Sequence, residues 1–429
     1  VVVVLIDTLR ADRLASYNPE TRVRTDHLDR LAKEAVLFER CTTPENWTKP
    51  AIASLLSGLY PETHRTKGDR DTLPASVVMA SEHFRELGFA TAGFVANGYV
   101  SGKFGFEEGW GTWTNYVREG KRNRAQFVVD DAVAWLGRRP AGKPFFLYVH
   151  TIDPHVPYIP PKDYWREYDP APYNGPVSPT QTAKLLEQVK TGKVKLNERD
   201  KIRLEALYDG EITYHDDHLA RLYEALDRAG LLDDTLLVVT SDHGEEFFEH
   251  GSVGHGHSLY EELLHVPLYV RLPGAAAGQG IRVPHEVSLT DVLPTACEVA
   301  GVECPDGVEG RSLVPLLEGA VTDRWPSVGF SDFLVGQRAA RMGRYKLIYR
   351  GLNPYLYDLE TDPRETEDLR EKLPVAYAAL RDALGRHQRR FVGVVAEGKP
   401  VRKQAAHEAG KAVIDPETKK QLEKLGYMH

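Results

Sequence analysis

The chain has 429 residues, 42% of them hydrophobic and 27% charged, which excludes wholesale disorder and implies one large domain with a smaller companion. A formal net charge of -8 argues against nucleic-acid binding, which needs a basic footprint to displace counterions. The three cysteines, Cys41, Cys297 and Cys304, contain no C-x-x-C pair. They exclude a disulfide framework and a cysteine zinc site, and Cys297 and Cys304 are read as thiols rather than a bridge.

Short apolar runs at residues 1–6, 90–95, 144–150, 235–240 and 266–271 read as buried parallel strands. Helical patterns fall at 27–35, 51–56, 76–87, 125–136 and 212–229. Strands alternating with helices give an α/β fold with a mostly parallel sheet and helices on both faces, whose ligands bind beyond the carboxyl ends of the strands. The stretch 160–197, rich in Pro, Tyr and Lys, is expected as a long insertion that covers substrate. From about residue 320 the pattern alternates at 327–333 and 344–350, with a short strand at 355–358 and a helix at 374–389. The expected organisation is a catalytic domain at 1–319, a smaller antiparallel sheet with a helix at 320–394, and a surface-wrapping tail at 395–429.

No run of about 18 apolar residues occurs, so no segment is expected to span a membrane. The chain opens on a strand, which leaves open a leader or membrane anchor ahead of Val1. The compartment is exported or membrane-anchored in that case and cytoplasmic otherwise.

Four places carry the residue types that chemistry needs. Asp7 directly follows the first strand, where a carboxylate suits a hard cation; alone it also reads as a turn residue. Thr48 precedes a helix read to start near Ala51, with Pro50 suited to the first turn, so its hydroxyl lies where free N–H groups favour an anion. Alone, Thr48 reads as a helix cap. Asp242-His243, after the run 236–240, makes a carboxylate–imidazole metal pair. Seven of the sixteen histidines lie between 215 and 265, with His250, His255 and His257 just beyond that pair. In Asp153-Pro154-His155-Val156-Pro157, the flanking prolines hold His155 in a rigid loop, as a general acid requires.

These residues resemble those of the sulfatase family within the alkaline-phosphatase superfamily. Asp7-Thr8-Leu9-Arg10-Ala11-Asp12 is similar to the family's opening, and Ala53-Ser54-Leu55-Leu56-Ser57-Gly58 to the helix after its nucleophile. Asp153-Pro154-His155-Val156-Pro157-Tyr158 matches its DPHxPY segment. The likeness continues through residues 231–245, 258–274, 291–295, 309–313 and 356–363 to 422–427, nearly the whole chain. The resemblance implies an alkaline-phosphatase-like fold and a hydrolase of sulfate, phosphate or phosphonate esters. It implies one divalent metal ion held by Asp7, Asp242 and His243 with the Thr48 oxygen; no second-metal spacing follows Asp153, where position 157 is proline. It places Thr48 as nucleophile and His155 as general acid, Asn97 and Lys103 on the substrate oxyanion, and His255 or His257 on the ester group.

The departures narrow this expectation. Strict sulfatases carry Cys or Ser in a C/S-x-P-x-R motif that becomes formylglycine; here the register places Thr48 and Ile52 at those positions. Cys41 is no substitute, because its proline comes one place late. Threonine with an Asp-His pair is similar to the phosphodiesterase, phosphonate-ester hydrolase and phosphoglycolipid transferase branches. The imidazole favours Mn²⁺ or Zn²⁺ over Ca²⁺. A covalent Thr48 ester and phosphoryl chemistry follow as expectations, on a small-molecule, glycan or lipid ester. A group transferase and a non-catalytic binding protein are the rival readings, and a homo-oligomer stays open.

Overall fold

The computed structural model describes residues 1–274, 280–319, 325, 328–334, 336–391, 395–396, 399–400 and 407–426. Its main sheet has nine strands, named here with the rest of the chain in sequence order. They are β1 (Val2–Ile6), β2 (Val36–Thr42), β3 (Ala90–Val95), β4 (Thr112–Asn115), β5 (Phe145–Thr151), β6 (Leu237–Thr240), β9 (His265–Val266), β10 (Leu268–Arg271) and β11 (Arg282–Ser288). The two remaining strands of this part, β7 (Glu246–Phe247) and β8 (Val253–Gly254), pair in a small hairpin.

The order across the sheet is β11-β2-β10-β6-β1-β5-β3-β4, with β9 on β2. β5, β1 and β6 run parallel in the centre, with Val4 beside Val149 and Val239. All residues of β1 and β5 are buried. Their side chains alternate between the faces with the period of a strand. Val2, Val4, Ile6, Leu147 and Val149 join one apolar core, and Val3, Leu5, Phe146 and Tyr148 join the other.

Helices cover both faces. Those of the first half are α1 (Asp26–Glu34), α2 (Thr48–Ser57), α3 (Pro61–His64), α4 (Ala80–Glu86) and α5 (Ala125–Arg138). They are followed by α6 (Lys162–Tyr168), α7 (Thr182–Lys190), α8 (Glu198–Arg228), α9 (Glu261–Leu264), α10 (Val292–Val299) and α11 (Val314–Leu317). No helix among the described residues is long and apolar enough to cross a membrane.

Three expectations are corrected. The run 266–271 was read as a parallel strand, but β10 is antiparallel to both neighbours, since a local apolar run does not encode direction. The insertion 160–197, in which no element was expected, contains α6 and α7. The helix expected at 212–229 begins at Glu198, where Asn197 and Asp200 form a reciprocal cap. Leu204, Leu207, Tyr208 and Ile212 give that first half its buried stripe.

Beyond the main sheet, β12 (Gly329–Phe333), β13 (Gln337–Met342), β14 (Tyr345–Arg350) and β15 (Asn353–Asp358) form an antiparallel meander. Its one face meets α12 (Pro374–Arg389) through Ala340, Leu347, Leu356, Leu380 and Leu384. The other meets Leu259, Tyr260 and Leu264 of the main part. Buried Lys346 bridges Glu261 and Glu365 across that contact. The expected tail at 395–429 lies partly outside the described residues; its helix α13 (Pro416–Lys424) is described and sends Leu422 into the main core.

Candidate active site

The carboxyl ends of the central strands converge on one buried centre. Asp7 follows β1, Asn97 follows β3, His150 lies in β5, and Asp242 and His243 follow β6. Thr48 is the first residue of α2, with Trp47 as the cap, rather than lying ahead of a helix at Ala51. The backbone N–H groups of that first turn have no acceptor within the helix. Thr48, Asp7, Asn97, Asp242 and His243 are all fully buried.

Asp7, Asp242 and His243 offer ligand atoms within 4.8 Å of one another. Asp242 Oδ1 is fixed by the N–H groups of Thr8 at 3.2 Å and His243 at 3.0 Å. Its Oδ2 accepts no hydrogen bond among the described residues and stands 3.3 Å from His243 Nε2. Asp7 Oδ2 accepts from Asn97 Nδ2 at 2.8 Å and from His150 Nε2 at 3.1 Å, and Asp7 Oδ1 lies 3.9 Å from His243 Nε2. His243 Nδ1–H donates to the Gly244 carbonyl at 2.9 Å, which leaves Nε2 with its lone pair toward both carboxylates and toward Thr48 Oγ1 at 3.3 Å.

The two buried carboxylates of Asp7 and Asp242 stand close together, an arrangement that a cation would stabilise. Burial first, and then Asp242, push the Asp7 carboxyl well above its ordinary range. This donor set fits a single divalent ion, with two hard carboxylates, one imidazole nitrogen and the Thr48 oxygen as ligands.

The surrounding loops are held tightly. Thr8 adopts φ 57, a left-handed conformation costly for a β-branched residue. It is kept there by its N–H on Asp242 and by the Tyr208 hydroxyl on its carbonyl at 2.7 Å. Ser241 Oγ accepts from Leu9 N and donates to the His243 carbonyl, tying the β6 end to the loop after β1.

A row of imidazoles leads out from this centre. The His255 ring is 4.4 Å from His243 and 5.0 Å from His155. His255 Nδ1–H donates to Glu245 Oε1 at 2.9 Å, and the Tyr158 hydroxyl donates to Glu245 Oε2 at 2.8 Å. His155 Nδ1–H donates to the Val156 carbonyl. Burial, then the neighbouring His255, holds His155 well below the ordinary histidine range; burial, His243 and Lys190 do the same to His255.

Sequence reasoning left His255 and His257 unordered, and in the structure His255 stands in the row while His257 Nε2 turns to Glu246 at 2.6 Å. His250 is engaged by Glu262 and the Arg364 carbonyl and stacks on Tyr260. Two residues have partners other than the oxyanion expected for them. The Asn97 amide is on Asp7, because its own Oδ1 is fixed by the N–H groups of Tyr99 and Val100. The Lys103 ammonium is bound by Asp415 and Thr418 at α13. His150, Glu245, Tyr158 and Tyr208 were not assigned from sequence, since each acts through a tertiary partner that no local pattern reports.

A family model described as "Sulfatase" matches residues 1–302. The chain belongs to the sulfatase family. A second model, "N-sulphoglucosamine sulphohydrolase, C-terminal", matches residues 249–389, from the histidine loop through the meander and α12. The chain is 26% identical to the choline-sulfatase of Rhizobium meliloti, over 89% of this chain and 84% of the relative. It is 27% identical to an arylsulfatase of Clostridium perfringens, over 86% and 89%. Its fold matches the crystal structure of the phosphonate monoester hydrolase of Agrobacterium radiobacter with a TM-score of 0.77 and 23% identity, over 94% of this chain and 99% of that one.

As a member of the sulfatase family the chain is an ester hydrolase. Thr48 begins α2, and Ile52 lies one turn on, fully buried. Lys49, next to Thr48, is fully buried among Trp47, Tyr99 and Phe104 and donates to the Asp69 and Asp71 carbonyls. It anchors the start of α2.

Proposed function

We propose that this chain hydrolyses a small-molecule or glycan ester of sulfate, phosphate or phosphonate through a covalent ester on Thr48. The observation that carries this reading is the placement of Thr48 Oγ1, at a helix start and 3.3 Å from His243 Nε2 within the Asp7–Asp242–His243 cluster. Asp7, Asp242, His243 and Thr48 would hold one divalent cation, with Mn²⁺ or Zn²⁺ favoured over Ca²⁺ by the imidazole. Held there, such an ion would supply Lewis acidity, favouring loss of the Thr48 proton to solvent and offsetting the charge of the ester oxygens.

Thr48 Oγ1 attacks sulfur or phosphorus in line, and the bond to the leaving alcohol oxygen breaks. His155 and His255 are held neutral in the free site. An entering anionic ester favours their protonated forms, and the imidazolium then gives its proton to the departing oxygen. Glu245 backs His255 by accepting from Nδ1. Asn97 and His150 keep Asp7 oriented from behind, while Lys103 ties α13 to the loop after β3.

Water then cleaves the Thr48 ester at sulfur or phosphorus and returns the free hydroxyl. Formylglycine can release sulfate by elimination, whereas threonine has no such route. This favours phosphoryl or phosphonyl esters over sulfate. The test is a turnover panel of aryl sulfate, phosphate monoester, phosphate diester and phosphonate ester, run with Mn²⁺, Zn²⁺ or Ca²⁺ after chelation. Faster phosphorus than sulfur chemistry with Mn²⁺ or Zn²⁺ is expected, and sulfate turnover that dominates with Ca²⁺ would contradict the assignment.

A further inference from the structure

The insertion 160–197 brings a cation to the rim of the site. α7 packs on β8, the short strand directly before His255, and Lys190 is the last residue of α7. Lys190 Nζ lies 3.5 Å from the His255 carbonyl oxygen. A Cβ on Gly254, at φ 83, would stand 2.7 Å from that Nζ, so the ammonium lies close against the backbone just before His255. Lys190 is exposed, and among the described residues it forms no ion pair. It belongs to a local run with Lys184, Lys193 and Lys195 against the single acid Glu187, in a chain of net charge -8.

We propose that Lys190 is a specificity-determining residue that reads a second anionic group, such as a carboxylate, on the organic part of the ester. This rests on the hydrolytic reading of the site. The reacting group belongs at Thr48, which meets His243; the His243 ring meets that of His255, and the His255 carbonyl meets Lys190. A cation at the outer end of these contacts is placed for the substrate's far end. An exposed charge pair of this kind is modest and salt-sensitive.

The experiment compares two aryl esters of the class the chain turns over fastest, differing only in a ring carboxylate, with the unaltered protein, Lys190→Gln and Lys190→Arg. Lys190→Gln is expected to raise KM for the carboxylated ester by about fivefold more than for the uncharged ester. Lys190→Arg should keep the preference, and added salt should shrink it in the unaltered protein but not in Lys190→Gln. Equal effects on both esters, or no effect on either, would overturn the proposal while leaving hydrolysis intact. Turnover of neither ester by the unaltered protein would instead overturn the hydrolytic reading and the proposal with it.

Discussion

His243 Nε2 lies 3.3 Å from Thr48 Oγ1, and the same ring is locked from behind by its Nδ1–H on the Gly244 carbonyl. One imidazole thereby joins the loop after β6 to the start of α2, which places a hydroxyl beside two buried carboxylates. Asp242→Asn removes one of those charges while keeping the shape. It should lower activity by at least about 100-fold and cut the bound metal measured by atomic emission after dialysis. Unchanged metal content with unchanged turnover would remove Asp242 from the centre.

Asn97 acts on Asp7 rather than alone. Asn97→Ala should weaken metal affinity or activity by roughly 10–100-fold, and excess Mn²⁺ should recover part of the loss. A titration of activity against metal concentration separates this from a direct substrate contact, which would raise KM at saturating metal.

The loop that carries His155 is clamped at its base. Arg124 pairs with Asp153 at 3.4 Å and with Glu211 at 3.1 Å, Asp153 Oδ2 accepts from Ala125 N, and Glu211 Oε1 accepts from Ile159 N. Arg124→Met should lower kcat by about tenfold with little change in KM, because positioning of the proton donor is lost before binding is. Glu211→Gln keeps an acceptor for Ile159 and should be milder. Steady-state kinetics on both variants decide it.

Buried His215 should make stability depend on pH. Burial pushes it down to about 4, and it meets Thr151 Oγ1 at 2.8 Å. Unfolded histidine titrates near 6.5, so above that pH its contribution to stability is fully present. As pH falls from about 6.5 toward 4, the unfolded chain takes up a proton that the folded chain refuses, and stability drops by about 1.4 kcal/mol per unit. Urea unfolding across this window should show a shallower slope for His215→Gln by about that amount. Parallel slopes would contradict the assignment.

The residues of the buried cluster were legible because they sit near the ends of buried strands. β1, β5 and β6 are mostly apolar runs, so Asp7, His155 and Asp242-His243 stood out in the few residues after them. β2 was not legible, since Glu39 and Arg40 interrupt its pattern while it lies beside β10 and β11. The order of His255 and His257 was hidden by Gly254 and Gly256, whose positive φ values break any strand or helix period. Lys190 was hidden for a different reason: its neighbour in space is 65 positions away in the chain. Asn97 was legible as a residue, while its contact with Asp7 was not, because a side chain on a carboxylate looks no different in sequence from one on a substrate.

The central claim is that Thr48 becomes covalently esterified during turnover. Rapid acid quench of the Mn²⁺-loaded protein with an aryl phosphonate ester, followed by peptide mass spectrometry, measures it directly. One phosphonyl group is expected on the peptide that contains Thr48, absent in Thr48→Ala, which should also be inactive. An unmodified peptide at full turnover, or a Thr48→Ala variant that retains its rate, would contradict it.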